Sequence, residues 1–414
     1  MKICKRVALC LCVPILIFAY SGCMADETIP GNDTGSSNSS GDESGIVLQT
    51  YSGATVDLCM GTLREYLKLE DENEQAAFLY DNLYVGQDGQ APVFCWSDDG
   101  SQSYTVYFAD NVQFEDAVAI VSQDEVLEDA GFFIPGKTYY WRVEGDSGLS
   151  LTDNFTTLDE PLRFIEAEGS HNIRDVGGWQ TAAGEKVKYG MLYRGGQLNG
   201  YAGMSAMTEN GKYIFNDVLD IKSELDLRTS GRDDAGQTSC WWNEQCNYEK
   251  IAFSQYSCII PEYDGYDGIN AGFVKESPSA IKKIFNFLSD ESNYPIYFHC
   301  NSGADRTGTL TFLILGLLGV SYDDITRDFE TTSFTYYGKR WRSNIVDGKF
   351  TPDGIMQADR DNFVSWGEMY SLFMEYYAEG DGTLAQAIEN YLLNVCGVDY
   401  KDIISFKNIM LEQV

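Results

Sequence analysis

Tyr294-Pro-Ile-Tyr-Phe-His-Cys-Asn-Ser-Gly-Ala-Asp-Arg-Thr-Gly308, continued by Thr309-Leu-Thr-Phe-Leu-Ile-Leu-Gly-Leu-Leu318, decides the fold of the second half of the chain. Tyr294 to Phe298 reads as a buried strand, and the run after Thr309 as a buried helix. A small-residue loop joins them. Strand, loop and helix N-terminus together make a seat for an anion, because successive backbone N–H groups converge there and the helix dipole favours negative charge. Cys300 stands at the start of the loop and Arg306 at its end. The same N–H groups stabilise a thiolate, which makes Cys300 a nucleophile at neutral pH. Arg306 can fork two hydrogen bonds onto the oxygens of a phosphoryl group.

Each further loop position has a task. Gly303 permits a turn that most side chains forbid. Asn301, Ser302, Gly303, Ala304, Thr307 and Gly308 line the phosphate seat, and His299 orients the loop through hydrogen bonds. The competing reading, a buried inert Cys beside a surface Arg, leaves this register of strand, Gly, Arg-Thr-Gly and helix unexplained.

The loop resembles H-C-x-x-G-x-x-R-[ST]-G, the signature of the cysteine-dependent protein tyrosine phosphatases. Asn172-Ile-Arg-Asp-Val-Gly-Gly178, Val187-Lys-Tyr-Gly-Met-Leu-Tyr-Arg-Gly195 and Leu225-Asp-Leu-Arg228 resemble segments of the bacterial branch related to a secreted mycobacterial tyrosine and lipid phosphatase. That branch has Asp before the signature Arg, as Asp305 here. The resemblance implies a phosphocysteine intermediate, no cofactor and no metal. It also implies that Thr307 eases departure of the sulfur, and that the fold over 161–414 is a mostly parallel sheet flanked by helices.

Phosphocysteine formation needs a proton donor opposite the nucleophile. No Trp-Pro-Asp tripeptide is present, so the candidates are Asp305 on the loop and Asp264 or Asp267 in the Gly-rich stretch Pro261-Glu-Tyr-Asp-Gly-Tyr-Asp-Gly268. The resemblance puts Asp305 first; its structural alternative is a carboxylate that only shapes the loop. Asp226 with Arg228 braces the site from a strand end. Arg174, Asp175 and Arg194 are either contributors of field to the pocket or members of internal ion pairs. Tyr336, Tyr337 and Trp341 read as packing aromatics.

Composition narrows the function classes. The 414 residues carry a formal charge of −34, a surface that repels nucleic acid and anionic membranes. Two histidines, His171 and His299, are too few for His-rich zinc catalysis. The leading function is hydrolysis of phosphotyrosine in proteins or peptides. The alternatives are a phosphoinositide or inositol phosphate phosphatase, against which Ala304 speaks by supplying no charge for a polyanionic head group, and a non-catalytic module that captures phosphorylated ligands.

The N-terminal half reads differently. Residues 1–23 form a processing segment: Lys2, Lys5 and Arg6 precede the apolar run Val7 to Tyr20, and Tyr20-Ser-Gly-Cys23 resembles a bacterial lipoprotein signal with Cys23 lipidated. A plain secretory signal is the alternative. The polar stretch over 24–45 is a tether reaching on the order of 25 Å. An exported protein anchored at Cys23, periplasmic or on the cell surface, is expected, touching the membrane only through its lipid. Of the eleven cysteines, Cys240 and Cys246 are the nearest couple able to pair outside the cytoplasm. Residues 46–158 hold short alternating runs, such as Lys137-Thr-Tyr-Tyr-Trp-Arg-Val143, that resemble a fibronectin type III or immunoglobulin-like β-sandwich with Tyr140 or Trp141 in its core. An inert spacer is the expected role. Met60 to Gln90 fits that plan poorly and reads as an insertion.

Overall fold

The period-two pattern around Trp141 makes a strand with one wet face. In the computed structural model, which describes residues 45–412 apart from 60, 87–91, 128–132, 201–204, 232, 264–270, 337–339, 341–343, 347–348 and 352–365, Tyr139, Trp141 and Val143 point inward and Tyr140 is half-buried. Eight strands form this half: Ala54–Val56 (β1), Phe94–Cys95 (β2), Tyr104–Ala109 (β3), Val118–Ser122 (β4), Val126–Leu127 (β5), Thr138–Gly145 (β6), Gly148–Leu149 (β7) and Asp153–Thr157 (β8). Six of them make one sheet in the order β1-β8-β6-β3-β4, with β7 on β6. The remaining pair, β2 and β5, is a ribbon that brings Phe94 edge-on to Phe108 and Trp141, at 4.8 and 5.0 Å. The expected sandwich is thus one six-stranded sheet with a two-stranded ribbon, not two facing sheets.

The stretch read as an insertion carries two helices. Asp71 caps Glu72–Asp81 (α2) by accepting from the N–H groups of Asn73 and Glu74, and Gly61–Leu67 (α1) precedes it. Leu63, Tyr66 and Leu79 on these helices are buried in the large core of the C-terminal domain. Tyr66 donates to Glu330 at 2.7 Å, and Arg327 donates to the carbonyls of Leu67 and Leu69. The apparent insertion is therefore a bracket onto the second domain.

In that domain Arg174–Asp175 (β9), Leu192–Gly195 (β10), Ser223–Asp226 (β11), Asn247–Lys250 (β12) and Ile296–His299 (β13) form a sheet in the order β12-β11-β13-β10-β9. Four strands are parallel and β9 runs antiparallel at the edge, so the sheet is mixed rather than mostly parallel throughout. Ahead of β11, Glu209–Tyr213 (α3) runs into a further helical turn over Ile214–Val218. His299 pairs in register with Gly195 on one side and Asp226 on the other. The carboxyl ends of the three central strands thus meet at the signature loop, where open parallel sheets bind ligands.

Helices Ala271–Leu288 (α4), Asp305–Leu318 (α5), Tyr322–Glu330 (α6), Trp366–Tyr377 (α7), Leu384–Asn390 (α8) and Tyr400–Met410 (α9) complete the domain; Asn344–Val346 (β14) pairs with Lys349–Thr351 (β15). In α4 the stripe Ile281, Ile284, Phe285 and Leu288 is fully buried. Every residue of α5 from Thr307 onward is buried. Among the described residues no helix is long and apolar enough to cross a membrane. Residues 1–44 with Cys23, and Asp264, Asp267, Tyr337 and Trp341, lie outside the described residues.

Candidate active site

The loop between β13 and α5 closes tightly. Gly303 has φ +66°, and a Cβ there would lie 2.3 Å from the backbone carbon of Gly195, so β10 can approach only a glycine. Arg194 on β10 donates to the Gly303 carbonyl at 2.8 Å, and the Asn172 side chain donates to the Ser302 carbonyl at 3.0 Å. Asn301 accepts from the Gln197 backbone through its carbonyl and donates from its side chain to the Asp233 carbonyl. These bonds pull the loop carbonyls outward. Ala304 stands at the N-cap of α5, and the Gly308 N–H makes a helical bond to its carbonyl. Cys300 is buried at the base. The Thr307 hydroxyl is buried on the first turn of α5 with no hydrogen-bond partner among the described residues.

Arg306 reaches back across the loop: Nη2 donates to the Asn301 side chain at 2.5 Å, and Nη1 lies 2.7 Å from Asp233. Burial pulls the Arg306 guanidinium down, but Cys300 and Asp233 outweigh it and hold the charge in place. Asp233 is a carboxylate that sequence reasoning missed. It sits on the turn after the Asp-Leu-Arg strand end, a polar, Gly-containing stretch beside a parallel strand, which was its one local signal.

Asp305 has different company. Arg340 grips it with two bonds, Nε at 2.8 Å and Nη2 at 3.0 Å, and Tyr256 donates its hydroxyl at 2.5 Å. Burial pushes its carboxyl up, but Arg340, Tyr256 and Arg306 together leave it below the ordinary carboxylate range. Asp305 therefore has the surroundings of a standing anion, not of a proton donor. Burial and Asp305 push the Tyr256 phenol far up, so it remains a donor.

Arg194 and Arg174 are both buried on Asp328 of α6, so they are structural ion-pair members, and Arg194 adds its bond to the loop. Asp226 binds Arg228 through both oxygens and accepts from Tyr248, bracing the strand end as expected. Asp175 pairs with Arg163 at 3.3 Å, and its carboxylate accepts from the N–H groups of Gly177 and Gly190. Tyr336 is exposed rather than packed. Among the described residues no three His, Cys, Asp or Glu side chains converge as a metal site. Cys240 and Cys246 form a disulfide, while Cys59, Cys95, Cys258, Cys300 and Cys396 are in no disulfide among the described residues.

This geometry, a buried cysteine and an arginine on one loop at a helix N-terminus, lies within residues 165–412, which match the model of the tyrosine phosphatase family. The chain belongs to that family. The chain is 26% identical over 170 residues to a protein of Cupriavidus necator described as a candidate tyrosine-protein phosphatase, covering 38% of this chain and 59% of that one. It is 22% identical over 130 residues to a tyrosine-protein phosphatase of Nostoc commune, covering 30% and 44%. The matches thus span about half the length of these relatives. Among solved structures, the core catalytic domain of the PP-IP phosphatase Siw14 from S. cerevisiae in complex with citrate is 17% identical, with 34% of this chain and 71% of that chain covered and a TM-score of 0.23. A second Siw14 catalytic core is 18% identical, covering 41% and 80%, with a TM-score of 0.27.

Proposed function

We propose that the protein hydrolyses phosphotyrosine through a phosphocysteine formed on Cys300. The observation that carries this reading is the pairing of Cys300 and Arg306 on one loop at a helix N-terminus, with Arg306 held ready by Asn301 and Asp233. The Cys300 sulfur attacks phosphorus as the bond to the phenolic oxygen breaks. Backbone N–H groups and Arg306 take up the charge of the transferring phosphoryl group. Water then attacks phosphorus and the sulfur leaves, aided by the Thr307 hydroxyl, which has no other partner among the described residues. No step in this sequence calls for a metal, so activity should survive a chelator.

Asp233 is the carboxylate we assign as proton donor to the phenolic oxygen. A phosphate dianion draws Arg306 onto itself, which removes the cation from Asp233 and sets an anion beside it. Asp233 is thereby released from its ion pair to serve the phenolic oxygen. Asp305, held by Arg340, shapes the loop instead.

The balance of charge supports a monoester on an aromatic ring over an inositol polyphosphate. The cations around the loop are matched by carboxylates: Arg306 by Asp233, Arg340 by Asp305, Arg194 and Arg174 by Asp328, Arg228 by Asp226 and Lys250 by Asp234. Phosphotyrosyl peptides should therefore turn over faster than inositol phosphates. The leader-like segment, with Cys23 as lipid anchor, and the Cys240–Cys246 disulfide support a place outside the cytoplasm.

Cys300→Ser tests the reading. Hydrolysis of an aryl phosphate should fall to background while inorganic phosphate still binds, because the cradle is backbone. Retained turnover would exclude Cys300 as the nucleophile.

A further inference from the structure

Glu224 is fully buried on β11, in the middle of the sheet, and the chemistry above makes no use of it. Three donors face its carboxylate. Gln237 Nε2 reaches Oε1 at 2.7 Å, the Trp241 N–H reaches Oε2 at 3.1 Å, and His299 Nε2 lies 2.8 Å from Oε1. The Gln237 amide is fixed in that sense, since its oxygen accepts from Arg228 at 2.7 Å and its nitrogen also donates to the Ser239 carbonyl. The other ring nitrogen of His299, Nδ1, lies 2.9 Å from the Cys300 carbonyl oxygen.

A carbonyl can only accept, so Nδ1 must carry a proton. Nε2 faces a carboxylate that already accepts from two other N–H groups. An ionised carboxylate satisfies all three contacts when Nε2 also carries a proton. Both ring nitrogens are then donors and the ring is a cation.

We propose that Glu224 is a positioning residue for catalysis: it holds His299 doubly protonated, so that the ring fixes the Cys300 carbonyl and sets a positive charge behind the nucleophile. The proposal rests on the cysteine-phosphatase reading above. It gives the signature histidine a charge and a partner, where sequence reasoning offered only orientation.

The surroundings are closed on every side. Glu224 and Asp226 face the ring from β11, and Tyr297 stacks on it from β13 at 5.4 Å between centroids. Asp226 is in turn occupied by Arg228, Lys250 and Tyr248. Arg306, Arg194 and Arg340 are near enough to Cys300 to feel its charge, and the Tyr256 hydroxyl lies on Asp305. Glu224 is the only one of these carboxylates bonded to a ring nitrogen of His299.

The chain has two histidines, so the imidazole nitrogens can be read directly by ¹⁵N NMR on the full-length protein, with His171→Asn to assign them. At about pH 7.5 both His299 nitrogens should be protonated, a pH at which an ordinary imidazole is mostly neutral. In Glu224→Gln the ring should fall to one neutral tautomer, and the pH midpoint for alkylation of Cys300 by iodoacetate should rise by about one unit. A merely structural role would lower the melting temperature and leave that midpoint in place. A singly protonated His299 in the wild-type protein overturns the proposal, as does an unmoved midpoint in a folded Glu224→Gln. If that variant does not fold, the wild-type spectrum decides alone. Failure of the parent reading is separate: it would show as aryl phosphatase activity persisting in Cys300→Ser.

Discussion

At the residue scale two aspartates have opposite company. Asp305 is bonded to Arg340 and Tyr256, whereas Asp233 faces Arg306, the group proposed to move onto substrate. Asp233→Asn should slow aryl phosphates with basic leaving groups far more than those with acidic ones, since a good leaving group needs no proton. Asp305→Asn should slow both kinds alike, because Arg340 is released and the loop shifts as a unit. Kinetics across a leaving-group series checks both; selective loss in Asp305→Asn would return the acid role to that residue. The sequence made Asp305 visible because it lies inside the signature. Asp233 and Glu224 were hidden for a common reason: each meets the loop from β11 or just beyond it, some seventy residues upstream, and nothing local marks such a meeting.

At the scale of elements, period and run length were enough to place β13, α4 and α5, whose apolar residues are buried as their spacing required. Pairing was less legible. The antiparallel edge β9 contributes only two residues, Arg174 and Asp175, whose polar side chains carry no strand pattern and are buried through their charge partners. Asp328 on α6 holds Arg174 and Arg194 together and so fastens β9, β10 and α6. Asp328→Asn should cost about 3–5 kcal/mol by leaving two buried guanidinium groups short of a counter-charge, measurable by urea unfolding. Acid should reproduce part of that loss. Burial raises the Asp328 carboxyl, but the two arginines outweigh it, and Lys250 first among several partners brings Asp234 down to about 2. Folded values below unfolded ones mean stability that is complete above about pH 4 and disappears as pH falls through the folded values. The melting temperature should therefore decline below about pH 4, with a shallower slope in Asp328→Asn.

At the scale of the whole molecule the first domain is more than a spacer. α1 and α2 belong to the phosphatase core, and backbone N–H groups of Tyr84 and Gly86 donate to the carbonyls of Ser333 and Phe334. Ser333 in turn bonds the backbone of Arg340, which grips Asp305 on the signature loop. Composition could mark residues 60–90 as foreign to a β domain, but it could not say where they dock. Arg327→Ala removes the donors to Leu67 and Leu69 and should make the bracket open more readily, with earlier cleavage of residues 60–90 in limited proteolysis and a modest loss of activity. Unchanged cleavage would mean that the apolar contacts of Leu63, Tyr66 and Leu79 suffice. The central claim remains the covalent one. Wild-type protein mixed with an aryl phosphate, quenched in acid within milliseconds and digested, should yield phosphate on the peptide that contains Cys300. Rapid turnover with that peptide unmodified, or with phosphate on another side chain, would contradict the account.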